Sequence, residues 1–268
     1  MALITRVLTG TVFAAATIIA TSSAWAQAFG AVRLYGATAT SDGGTVGAAA
    51  VVGRQFQGSG ERRTLLLPLL DYQWKSGWFA GTTNGLGYDF SSRPDMNYGV
   101  RVTADFGRKE SRSAALRGLG DIDIRPEIGI FYNYAVTPAF ALTSSLRYGS
   151  GNDRNGMVVD LGAAYSMALA PQWRLGLGAT ATYANAKYMQ SYFGVTPGQA
   201  TTSGYPAYTA DAGIRDVRAN AALTYSINPR LAVTAAVSAS ALQGDAKDSP
   251  VIRKRSATTG LVGVSYRF

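Results

Sequence analysis

From Ser256 to Phe268 the chain alternates strictly. Phe268, Tyr266, Val264, Val262, Gly260 and Thr258 form one set, and Arg267, Ser265, Gly263, Leu261 and Thr259 form the other. One set is apolar with aromatics at the tip, and the other is mostly small and polar. A strand places such sets on opposite faces. The same period recurs upstream. Leu231, Val233, Ala235, Val237, Ala239 and Ala241 alternate with small and polar residues, as do Val217 to Ile227, Trp173 to Tyr183 and Val159 to Met167. Phe140 to Tyr148, Ile128 to Val136 and Tyr98 to Phe106 continue it. Each run has about the length that a tilted strand needs to cross a hydrocarbon layer. Before these, Trp78 to Phe90 reads as one Gly-rich strand and Leu65 to Trp74 as a mostly apolar one. Thr45 to Phe56 and Phe29 to Thr40 carry weaker signals. The pattern predicts an all-β fold, an antiparallel transmembrane β-barrel of about twelve strands, or ten if the two weak runs fail.

The connections support a barrel over a soluble sandwich. Val136-Thr137-Pro138, Leu169-Ala170-Pro171 and Ile227-Asn228-Pro229 are tight, with Pro where no ladder donor is needed. Residues 149–157, 188–213 and 244–255 are longer polar links. If Phe268 lies at the periplasmic end, the tight turns and 91–95 are periplasmic, and the long links and 108–123 are extracellular. Phe268, Tyr225, Trp173, Phe140, Tyr134 and Tyr98 then form one aromatic belt, and Tyr183, Tyr148 and Phe106 another. Tyr266 and Phe268 read as a C-terminal signal for the barrel-assembly machinery.

The N-terminus adds an address. Arg6 precedes a short apolar run, Leu8 to Ile19, and Ala24-Trp25-Ala26 fits a cleavage site. Residues 1–26 therefore read as a signal peptide cleaved between Ala26 and Gln27, leaving 27–268 as the barrel. The balance of 25 Lys and Arg against 16 Asp and Glu would suit nucleic acid, but export makes lipid or lipopolysaccharide headgroups the expected partner. Arg253, Lys254 and Arg255 are candidates for that contact or for a solvated run.

With no His and no Cys, a Ser-His-Asp triad and the usual zinc and copper sites are excluded. No motif calls for a cofactor, and the chain reads as a non-enzyme. The chemistry that remains is a set of inward charges. Arg101, Arg125, Arg147, Arg174, Arg218 and Arg267 face Asp89, Asp105, Glu127 and Asp160. They either line a narrow, anion-preferring pore or pair to plug the lumen. In the link 188–213, Tyr188, Tyr192, Phe193, Tyr205 and Tyr208 either form a contact surface or fold back over the barrel mouth.

Several segments carry a family resemblance: Pro68-Leu69-Leu70-Asp71-Tyr72, Leu116 to Asp123, Tyr188 to Val195, Ser203 to Tyr208, Gly244 to Val251, and Ser265-Tyr266-Arg267-Phe268. Over 45–268 the chain resembles the MltA-interacting protein family, also called MipA/OmpV, of Gram-negative outer membranes. The resemblance implies an outer-membrane barrel. For the family's namesake it implies a scaffold joining a lytic transglycosylase to a peptidoglycan synthase. A small-solute pore and a surface barrel with contact loops are the other expectations.

Overall fold

The computed structural model describes residues 41–268. The signal peptide, its cleavage site at Ala26 and Gln27, and the strand expected over 29–40 lie outside those residues. The described chain is a closed antiparallel barrel of twelve strands in sequence order, with the first paired to the last. The strands are β1 (Gly43–Arg54), β2 (Arg62–Gln73), β3 (Trp78–Gly81), β4 (Gly85–Asp89), β5 (Met96–Asp105) and β6 (Arg125–Ala135). Then come β7 (Phe140–Ser150), β8 (Gly156–Ala170), β9 (Trp173–Ala184), β10 (Gly213–Ser226), β11 (Leu231–Leu242) and β12 (Ser256–Arg267).

The seam is continuous from Thr45 opposite Arg267 to Val52 opposite Gly260. It is built from small residues. A Cβ on Gly47 would stand 2.1 Å from the Val264 carbonyl oxygen, so the two strands close only around glycine. At the foot of the seam Gly44 and Phe268 exchange backbone hydrogen bonds of 3.0 Å in both directions.

The alternating sets face as the sequence predicts. Val46, Val100, Val102, Ile128, Ile130, Leu142, Leu161, Leu177, Val217, Val237, Val262 and Val264 are exposed on the outer wall. In water such a surface would be costly, and in a bilayer it is the solvent match. Aromatic rings gather at the turn end. Trp78 meets Tyr88, Tyr88 meets Phe90, Phe90 meets Tyr98 and Tyr98 meets Tyr132, with centroids 5.0–6.4 Å apart. Trp173 lies 4.7 Å from Tyr225, and Phe268 lies 6.1 Å from Tyr72.

One strand assignment is corrected. Trp78 to Phe90 is not a single strand but a short hairpin, β3 and β4, turning through Thr82-Thr83-Asn84. Asn84-Gly85 is a turn dipeptide, and Gly85 adopts φ +76°, a conformation costly for other residues. The total of twelve therefore holds without the 29–40 run. The hairpin also makes β3 four residues and β4 five, against ten to fifteen in every other strand.

At the opposite end the long connections fold together. The link after β9 holds two helices, α1 (Ala186–Phe193) and α2 (Pro197–Ser203), and the link after β11 holds α3 (Gly244–Asp248). Two 3-10 turns, Glu110–Arg112 and Ala114–Leu116, lie in the link after β5. Phe56, Leu116, Leu119, Val195 and Val251, from four different links, form one buried apolar cluster. Tyr188, Met189, Tyr192 and Phe193 join Ile122, Val158, Leu242 and Ala246 in a second.

Candidate functional site

Helix α1 closes the loop end of the lumen. Asn185 caps its start, accepting from the Tyr188 N–H at 3.0 Å and from the Met157 N–H at 3.0 Å, which ties the helix to β8. The spacing of four puts Tyr188 and Tyr192 in register, and their rings stack at 4.6 Å. Tyr188, Met189, Tyr192 and Phe193 are all buried. Tyr205 and Tyr208 are partly buried, with their hydroxyls donating to the carbonyls of Ala115 and Asp245 at 3.0 and 2.9 Å. Tyr188, Tyr192 and Phe193 thus pack inside the cap over the mouth, with Tyr205 and Tyr208 partly exposed on it. Burial pushes the Tyr188 hydroxyl up to about 12 and Tyr192 well above its ordinary value. The Arg108 guanidinium, lowered by burial, donates to the Tyr192 carbonyl at 2.8 Å.

Beneath α1 a layer of charges runs along the inner wall from β5 to β10. Arg147 reaches Glu127 at 3.4 Å and Asp160 at 3.1 Å. Glu127 also accepts from Ser150 at 2.5 Å and Thr103 at 3.2 Å. Asp160 accepts from Thr182 at 2.7 Å, and Arg218 lies 3.5 Å from that hydroxyl and 3.0 Å from Asp216. Arg215 pairs with Asp216 at 2.6 Å and donates to the Tyr188 hydroxyl at 2.8 Å. Its guanidinium also sits over that ring, 5.2 Å from the centroid. Asp105 accepts from the Tyr192 hydroxyl and from the N–H groups of Gly107 and Gly151. Helix and charge layer are thus one hydrogen-bonded unit, and each carboxylate in it is satisfied, as buried charge requires.

The sequence placed ten charges in the lumen, and the structure distributes them. Asp105, Glu127, Arg147, Asp160 and Arg218 belong to this layer. Asp89 lies lower, accepting from Asn97 at 2.6 Å and from Ser91. Arg101 is buried with its guanidinium 5.8 Å from the Phe131 centroid. Arg125 is half-buried at the start of β6. Arg174 and Arg267 are exposed near the turn end, Arg174 donating to Ser166 at 3.3 Å. Those two stand outside the layer. Sequence reading missed Arg215 and Asp216. A register shift between Ile214 and Asp216 turns both inward, which strict alternation cannot express.

Below the layer lies a cavity of about 960 Å³. Arg147, Asp160, Tyr188, Arg215 and Arg218 form its ceiling, and Ser41, Gly43, Arg267 and Phe268 its rim at the turn end. The lumen is therefore a cup, open at the turn end and stoppered at the loop end.

A closed, lipid-facing antiparallel barrel with turns at one end and a packed cap at the other defines an outer-membrane β-barrel protein. A family model described as MltA-interacting protein MipA matches residues 46–268, and the chain belongs to that family. It is 24% identical over 240 residues to the "Putative outer membrane protein YiaT" of Escherichia coli O157:H7, covering 87% of this chain and 94% of that one. Among solved structures it is similar to the NanC porin, at 13% identity and TM-score 0.47, over 82% of this chain and 98% of the porin. It is also similar to an outer membrane channel of Pseudomonas putida F1, at 11% identity and TM-score 0.44, over 87% and 96%.

Proposed function

We propose that this barrel is a non-enzymatic, non-conducting platform in the outer membrane. It would hold murein-remodelling enzymes, a lytic transglycosylase and a peptidoglycan synthase, at its turn-end face. The observation that carries this reading is the stopper: α1 bonded through Tyr188 and Tyr192 onto a satisfied charge layer leaves solute no straight route. The family's description, an MltA-interacting protein, is what suggests a partner of that kind. In this reading residues 1–26 are removed after Ala26, the turn end is periplasmic, and Tyr266 and Phe268, both exposed at the end of β12, are the signal to the assembly machinery. Arg253, Lys254 and Arg255, exposed at the loop end, meet lipopolysaccharide headgroups.

The turns alone are small against the roughly 1,000 Å² of a firm interface, so binding is weak or spread over several turns. Photo-crosslinkers at Thr137, Gln172 and Arg230 should capture murein enzymes in cells, and one at Thr201 in the cap should not. Absence of such adducts from all three turn positions would remove the platform reading.

The cavity favours a second reading, a gated small-solute pore. It already reaches Arg147 and Arg215, and displacing α1 would join it to the outside. Single-channel recording separates the two. The platform requires negligible conductance, whereas the pore requires openings with an anion preference that Arg218→Glu reverses.

A further inference from the structure

The short hairpin leaves the wall unequal in height. β2 pairs with β3 only at Asp71, Tyr72 and Gln73, and β5 pairs with β4 only from Gly99 to Val102. Above those rows, Arg62 to Leu69 and Thr103 to Asp105 face each other with no β partner between them among the described residues. Two absent strands correspond to three interstrand spacings, roughly 14 Å if the flanking strands keep their course. The opening is framed. Its sill is the turn Thr82-Thr83-Asn84, where Thr82 exchanges hydrogen bonds with Leu70 and Thr83 donates to Asp71. Its lintel is the link after β5, tied across the top by Gln55 to the Arg112 carbonyl at 3.1 Å and by Ser113 to Glu61 at 3.2 Å.

Three features say that the opening is built into the wall. The first is Pro68. Leu70 directs its N–H and carbonyl toward the sill, so Pro68, two residues on, would direct its own N–H into the opening. Proline has none, and the edge presents one unpaired donor fewer to lipid. The second is depth. Pro68 lies opposite Ala48 and Leu66 opposite Ala50, between the exposed Val46 and Val52, within the apolar band. The Leu66 side chain is 80% exposed. The third is the cavity itself. Its lining includes the outward residues Pro68, Val102 and Ala104 together with the inward Leu67, Arg101 and Thr103. The cavity therefore reaches both jambs of the opening.

We propose that this lateral opening admits an acyl chain of a bilayer lipid from the outer leaflet into the lumen cavity. Hydrocarbon is the phase against this part of the wall. The inner jamb continues it at Leu67, the one residue of its apolar cluster with Leu65, Leu69, Ala49, Val51 and Leu261 that lines the cavity. The cavity's volume is of the size that holds a small ligand. The chain enters past Leu67, and its polar end stays at the outer-leaflet headgroup level, on the lintel side of the opening.

The test uses full-length barrel in vesicles of a phosphatidylcholine whose acyl chain carries a diazirine near its terminus. After irradiation, adducts are mapped by mass spectrometry. The expected result is labelling of the inward-facing Leu67 and Thr103 as well as the outward Leu66 and Leu142. Adducts confined to outward residues would overturn the proposal. Ala104→Trp, which places a bulky ring at the jamb, should cut Leu67 labelling several-fold and leave Leu142 unchanged. Undiminished Leu67 labelling in a folded Ala104→Trp barrel would mean that the chain enters at the turn end, and would equally overturn it. If that variant misfolds, Ala104→Leu serves, and the wild-type map decides on its own.

Discussion

The Tyr192 hydroxyl donates to Asp105 at 2.5 Å, joining a helix of the cap to the end of β5 across 87 positions of sequence. Asp105 keeps two backbone donors without it, from Gly107 and Gly151. Tyr192→Phe should therefore loosen the cap without disturbing the barrel. The loss of one hydrogen bond to a buried carboxylate is worth about 2 kcal/mol. Amide exchange in α1 should accelerate correspondingly while exchange in β8 and β9 stays slow. Uniform acceleration would show that cap and barrel open together.

Asp160 is the hinge of the charge layer, holding Arg147 on one side and Thr182 on the other. Asp160→Ala leaves a half-buried guanidinium with one longer contact, to Glu127 at 3.4 Å. The barrel should lose about 3 kcal/mol, read as a lower denaturant midpoint in lipid. Asp160→Asn, which keeps a hydrogen-bond acceptor, should lose less. Equal midpoints for all three proteins would mean that the pairs do not stiffen the wall.

Outward and inward substitutions should differ. Val237 is exposed to lipid near the middle of β11, and Val237→Arg should cost about 2–4 kcal/mol. Asn220 lines the cavity, where a new arginine finds polar neighbours, so Asn220→Arg should cost less. Denaturant titrations of both in the same lipid would expose a wrong register if the order were reversed.

Alkaline pH should weaken the cap through Tyr188. Its hydroxyl ionises near 10.0 when unfolded and is pushed up to about 12 in place by burial. Between those values the unfolded chain has released a proton that the folded one retains, so stability falls as pH rises. It is fully present below pH 10 and lost through about 12, a change of up to about 3 kcal/mol. Tyr188→Phe should flatten this slope relative to wild type, measured as cap protection by amide exchange at pH 9 and 11.

The strand pattern was legible because one physical rule, lipid outside and lumen inside, repeats from β5 to β12. It failed at Trp78 to Phe90, where glycines blur the alternation and the Asn84-Gly85 turn signal carries the information instead. The charge layer was half legible. Glu127, Arg147, Asp160 and Arg218 follow from alternation, but Arg215 and Asp216 depend on a bulge. The inward burial of Tyr188, Tyr192 and Phe193 was one of two open alternatives, and the spacing of four between the two tyrosines is the signal that points to a shared helix face. The unequal wall was hidden because it arises from what β3 and β4 do not span.

The cap cluster has a bearing on quality control. Phe56, Leu116, Val195 and Val251 come from links far apart in the chain, and they meet only when their strands stand side by side in a completed ring. A barrel arrested with its seam open cannot assemble them. Tightness at the loop end is thereby made conditional on full closure, and an unfinished copy would be open there to solute and to proteases.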